Sequence, residues 1–177
     1  MKRCWVLLSV ITLSFAGTAV ATVQQGDVEL DALAGYLDEN GADDGVDVSS
    51  WFVSAAIGYF LTNNIQVAGV GVGAWNSVDD VDIDVYALGA RGRYHFMPQN
   101  QIVPFIGAQI LWASADADFA AGDVDGILWG PEVGARMSLN QVTDVYGVIQ
   151  YHLWDGDIDE VLDDGWGIFF GLVHKFK

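Results

Sequence analysis

The chain has 177 residues, 52% of them hydrophobic, yet its net charge is −17. Only 7 Lys and Arg stand against 24 Asp and Glu, so a nucleic-acid phosphate backbone would be repelled rather than bound. The one cysteine, Cys4, excludes an internal disulfide or a thiolate metal cage.

Met1-Lys2-Arg3 is a short basic start, Cys4 to Ala16 is apolar, and Ala19-Val20-Ala21 is a small-x-small cleavage pattern. Residues 1–21 therefore read as a cleaved signal peptide and 22–177 as a single domain. No run in the chain reaches the roughly eighteen apolar residues of a membrane helix. A greasy, exported chain without such helices fits a membrane β-barrel.

Eight segments alternate with a period of two: Val28–Leu37, Ser49–Leu61, Ile65–Trp75, Asp84–Phe96, Ile102–Ala113, Gly126–Leu139, Val145–Trp154 and Gly165–Phe176. Each is about long enough to cross hydrocarbon as a tilted strand. Connections of two kinds separate them. Those at Leu61–Asn64, Met97–Gln101 and Asn140–Asp144 are short and almost uncharged, whereas the other four read as longer loops that hold most of the 24 acids. Three short turns and four acidic loops are what an all-β, antiparallel, up-and-down transmembrane barrel of eight strands requires.

The faces agree. Trp51, Val53, Ala55, Ile57 and Tyr59 form one row of the second segment, and Tyr86, Leu88, Ala90, Gly92, Tyr94 and Phe96 one row of the fourth. Aromatics gather at the loop end (Tyr36, Trp51, Tyr86, Trp112, Trp129, Tyr151, Trp166) and at the turn end (Tyr59, Tyr94, Phe96, Phe176), as in the interface belts of a lipid-facing surface. A soluble barrel would turn these rows inward and show Lys, Glu and Thr outside. The opposite rows here are Gly, Ala and Ser with a few charges, which suits a narrow lumen. In the third segment both rows are small or apolar, so the pattern does not say which one faces lipid.

Gly58-Tyr59-Phe60-Leu61-Thr62-Asn63-Asn64-Ile65-Gln66-Val67, Gly89-Ala90-Arg91-Gly92-Arg93-Tyr94, Pro104-Phe105-Ile106-Gly107-Ala108 and Gly130-Pro131-Glu132-Val133-Gly134-Ala135-Arg136 resemble the small outer-membrane barrels of the OmpA/OmpX/opacity-protein type. The resemblance spans essentially the whole chain after residue 21. It implies a bacterial outer-membrane location and leaves the task open, since that family includes anchors, adhesins and small pores. It also implies that Gly171, His174 and Phe176 stand where such chains carry an assembly signal read by the barrel-assembly machinery.

Turning the apolar rows outward forces Glu29, Asp31, Arg91, Arg93, Glu132 and Arg136 inward, joined by Gln109, Gln150 and His152. Those six ions balance in charge. A salt-bridged plug is expected, because a selective pore would show one sign. Lys175 is expected near Asp27 at the seam of first and last strands.

Asp155-Gly156-Asp157-Ile158-Asp159-Glu160 resembles the start of a calcium loop, but Glu160 stands where the turn Gly belongs. Asp155, Asp157, Asp159 and Glu160 are thus candidates for weak Ca²⁺ or Mg²⁺ binding, the alternative being a solvated acidic crown. No other cofactor is expected. A lipid A-modifying enzyme would need a His and Ser set, and His152 is followed by Leu153 and Trp154, so no enzyme is expected. The expected protein is a monomer contacting outer-membrane lipid and lipopolysaccharide, structural or surface-interacting in role, with a narrow porin-like channel as the alternative.

Overall fold

The computed structural model describes residues 23–40, 47–78, 81–117, 124–157 and 164–176. The expected signal peptide lies outside them. Eight strands follow one another: β1 (Val28–Asn40), β2 (Asp47–Phe60), β3 (Ile65–Val78), β4 (Val81–His95), β5 (Ile102–Ala117), β6 (Val124–Ser138), β7 (Thr143–Gly156) and β8 (Gly165–Phe176). Every strand pairs antiparallel with its neighbours in sequence, and β1 also pairs with β8, from Val28↔Phe176 to Ala34↔Phe170. The sheet is therefore a closed barrel without free edges along that seam.

Alternation decides which side of the wall each residue occupies. Trp51, Ile57, Leu88, Trp112, Trp166 and Phe170 are exposed on the outside, where an aliphatic band sits between aromatic ends. In β3 the structure resolves what the pattern left open. Gln66, Ala68 and Val70 are buried inside while Val67 and Trp75 are exposed.

One expectation needs correction. Pairing runs on past the aromatic belt, as far as Asn40↔Asp47 and Val78↔Val81. The second acidic connection is consequently not a long loop, since β3 and β4 are separated only by residues 79–80. Asp is a poor strand former by itself, but a ladder already in register carries it along. At the other end β7 starts at Thr143 rather than Val145, which draws Asp144 into the barrel.

Candidate functional site

Inward side chains line the lumen, and their character changes along the axis. Toward the loop end it is apolar, with Val70, Val85, Ala87, Leu111, Ala113, Ala115 and Leu128 buried in one cluster against Val72, Ala74 and Trp154. Toward the turn end it is ionic. Strand direction explains the placement: Glu29 and Asp31 come early in the rising β1, whereas Arg91, Arg93, Glu132 and Arg136 come late in the descending β4 and β6.

The ions form two groups. Nearer the turns, Arg136 makes a two-pronged contact with Glu29, Nη2 to Oε1 at 2.7 Å and Nη1 to Oε2 at 2.8 Å. Its Nε donates to Asp144 Oδ2 at 2.7 Å. Lys175 Nζ lies 2.9 Å from Asp144 Oδ1, which also accepts from Ser138 Oγ. Gln66 Nε2 donates to Glu29 Oε2 at 3.0 Å.

One step further up, Arg93 grips Glu132 with Nε and Nη2, the latter at 3.0 Å from Oε2. Its Nη1 reaches Asp31 Oδ2 at 3.1 Å, and Arg91 Nη2 pairs with the same oxygen. Gln150 Nε2 donates to Glu132 Oε2 at 2.9 Å, and His152 Nε2 sits 3.3 Å from Gln150 Oε1. The Arg93 guanidinium also lies over the rings of Phe105 and Tyr146, 4.4 and 5.2 Å from their centroids. Arg suits both groups, since its planar fork matches a carboxylate edge.

Each group holds two acids and two bases and is neutral by itself. All eight ions are buried. Neutral, paired clusters are the form in which buried charge is tolerable, because one stranded ion costs several kcal/mol. Of the ions' buried atoms, Asp31 Oδ1 and Arg91 Nε are left without a hydrogen-bond partner among the described residues. Above the upper group lies an enclosed cavity of about 10 Å³ bounded by Leu33, Phe52, Arg91, Gln150 and His152 among others, room for about one water.

All six ions singled out in the sequence thus meet in the lumen. Two further members do not show in the sequence: Asp144, in a stretch that reads as a turn, and Gln66, on a strand with no polar and apolar face to tell apart. Lys175 lies inside, as expected, but with a different partner. It pairs with Asp144, whereas Asp27 accepts from the backbone N–H of Gln24 at 3.0 Å.

Of the acidic candidates, Asp155 and Asp157 are exposed, while Asp159 and Glu160 lie outside the described residues. Asp155 Oδ1 accepts from Gly156 N, and Asp164 Oδ1 from Trp154 N at 2.8 Å. No group of three or more metal-ligating side chains is gathered among the described residues. In β8, His174 and Phe176 face outward with rings 5.2 Å apart. Gly171 faces inward, where a Cβ would come within 2.5 Å of the Tyr146 ring.

No family model and no curated protein matches the chain. Solved structures do. The neisserial surface protein A (NspA) aligns with TM-score 0.60 at 19% identity, over 85% of this chain and 96% of that one. OprG of Pseudomonas aeruginosa aligns with TM-score 0.59 at 17% identity, covering 89% and 99%. The N-terminal β-barrel domain of Pseudomonas aeruginosa OprF aligns with TM-score 0.55 at 16% identity, covering 86% and 98%. The fold is that of the small eight-stranded outer-membrane barrels. With an apolar belt turned outward and aromatic rings at both of its ends, the chain is built for the bacterial outer membrane.

Proposed function

We propose that this barrel is a closed, non-catalytic element of the outer membrane, acting structurally or in surface contact through its acidic loop end. The observation that carries the reading is the pair of neutral ion clusters, Glu29–Arg136–Asp144–Lys175 and Asp31–Arg91–Arg93–Glu132, stacked across the lumen. An ion entering there would have to break contacts that leave a buried charge unpaired. Lipid and lipopolysaccharide are the surroundings such a wall fits, as a monomer. The outward His174 and Phe176 on the last strand suit capture by the barrel-assembly machinery.

Single-channel recording in a planar bilayer tests the closed state. Reproducible conductance steps from the folded protein would overturn it and favour the second reading, a narrow channel for small solutes. That reading has one observation of its own, the one-water cavity beside Arg91 and His152. If the acidic crown, with Asp155, Asp157, Asp159 and Glu160, binds Ca²⁺ or Mg²⁺ weakly, a chelator should lower the melting temperature in detergent. An unchanged melting curve removes the metal.

A further inference from the structure

Below the ion clusters the lumen ends on an aromatic floor. The rings of Phe60 and His95 lie 5.1 Å apart and those of His95 and Phe105 5.6 Å apart. Phe60 and His95 are the last residues of β2 and β4, where an open barrel end would leave them wet, yet both are 0% exposed. Something therefore closes the mouth beneath them.

The segment Val23–Asp27 is placed to do so. Gly26 N donates to Phe60 O at 2.9 Å and Phe60 N to Asp27 O at 3.0 Å, which extends the β1–β2 ladder. From there the chain leaves the wall. Gln25 N donates to Asn63 Oδ1 in the β2–β3 turn, and Val23 N to Pro98 O in the β4–β5 turn. In a closed ring of eight, β5 stands opposite β1, so these five residues cross the mouth from one side to the other. Gln24–Asp27 is itself a hydrogen-bonded turn, Asp27 N donating to Gln24 O at 3.1 Å, and it carries Val23 off the wall toward the Pro98 carbonyl. Val23 is fully buried while Gln24, Gln25 and Gly26 are exposed, so the segment has an inner and an outer face. Gly26 makes the turn at φ +92°, a left-handed conformation that glycine adopts without strain.

His95 gives the closure its character. Its ring is buried with neither nitrogen hydrogen-bonded among the described residues. An unpartnered buried imidazole opposes closure, because water would satisfy it on opening. A phenylalanine there would pack among the same rings without that penalty.

We propose that Val23–Asp27 is a releasable strap over the turn-end mouth, which short turns mark as the periplasmic one, and that His95 is the polar group it conceals. Release hydrates the aromatic floor and gives the periplasm access to the Arg136–Glu29 pair from below, while the barrel wall stays intact. The strap thus sets access from one side only, independently of whether the lumen conducts.

Cysteine labelling in folded protein tests this, using the full chain with Cys4→Ser, a membrane-impermeant maleimide on the periplasmic side, and heat-modifiable migration as the check on folding. Cysteine at position 95 (H95C) should react far more slowly than Q24C. Adding Gly26→Val or Val23→Asp should raise the H95C rate by about tenfold, the population change that loss of about one net hydrogen bond brings. Fast labelling of H95C with the strap intact, or no change in folded strap variants, overturns the proposal. Should those variants fail to fold, V23C alone decides: labelling as fast as Q24C sinks the strap, and protection supports it. Finally, His95→Phe should slow V23C labelling further, and an unchanged rate would refute the poised state.

Discussion

The two halves of the lumen are lined on opposite principles. The loop-end half uses medium apolar side chains, Leu111, Leu128, Val85 and several alanines, each small enough to sit beside its neighbour. The turn-end half uses long ones, Arg, Glu, Lys, Phe and Tyr, and makes room for them with glycine. At Gly107 a Cβ would fall 2.6 Å from Gly92 O and 2.7 Å from Glu132 Oε1. At Gly134 it would fall 2.5 Å from the Phe105 ring. An eight-stranded barrel is barely wide enough for its own side chains, so long residues such as Arg93 and Phe105 need an inward neighbour with none. The contrast teaches that charge in this lumen is a packing decision as well as an electrostatic one.

Removing one ion should hurt most. Arg136→Leu strands Glu29, leaves Asp144 with Lys175 alone, and gives the lower group one uncompensated negative charge. The expected loss is about 3–5 kcal/mol in urea unfolding of the barrel in vesicles, followed by Trp fluorescence. A cost no larger than that of an apolar truncation would show that the two halves are held by the same forces.

The matching truncation in the other half is Leu111→Ala. It leaves a void but no charge, and its alanine-rich surroundings can partly close. The same unfolding assay should place it at the low end of about 2–5 kcal/mol. If it exceeds Arg136→Leu, apolar packing rather than ion pairing dominates the interior.

Gly107→Val tests the glycine side of the comparison. Its new Cβ meets a backbone oxygen that cannot swing away, and it crowds the Arg93–Glu132 pair. Overpacking of this kind costs about 1–3 kcal/mol. A neutral result would mean that the turn-end half has slack and that its glycines serve some other need.

These contrasts also mark what could be read in advance. The strands, the facing of all but β3 and the six central ions were legible because a period of two turns every other residue to one side, and charges cannot face lipid. Asp144 was not, since Asn140–Asp144 looks like a turn until Thr143 pairs with His174. Gln66 was hidden by a strand whose two rows, glycine with valine against alanine with valine, carry no amphipathic signal. The acids that extend β1–β4 past the belt were assigned to loops because Asp resists strand structure unless a partner ladder carries it. Val23–Asp27 has no periodicity at all, and its path across the mouth depends on hydrogen bonds to turns distant in sequence.

The smallest expected effect is the most informative about why the ions exist. Replacing the whole upper group at once, by Asp31→Leu, Arg91→Met, Arg93→Met and Glu132→Leu, removes two acids and two bases together and strands none of them. Methionine at position 93 can still lie along Phe105 and Tyr146, which now flank the Arg93 guanidinium. Gln150 loses its acceptor but keeps His152. Because a buried ion cluster gains little over apolar residues of similar volume, stability should stay within about 1 kcal/mol of the parent, against a several-fold larger loss for Arg93→Met alone. Equal losses in the two variants would mean that the cluster is no coupled unit. A near-neutral quadruple variant would instead separate the two roles of the charges: they would be dispensable for holding the barrel together, and their proposed part in closing the lumen would rest on whether that variant conducts.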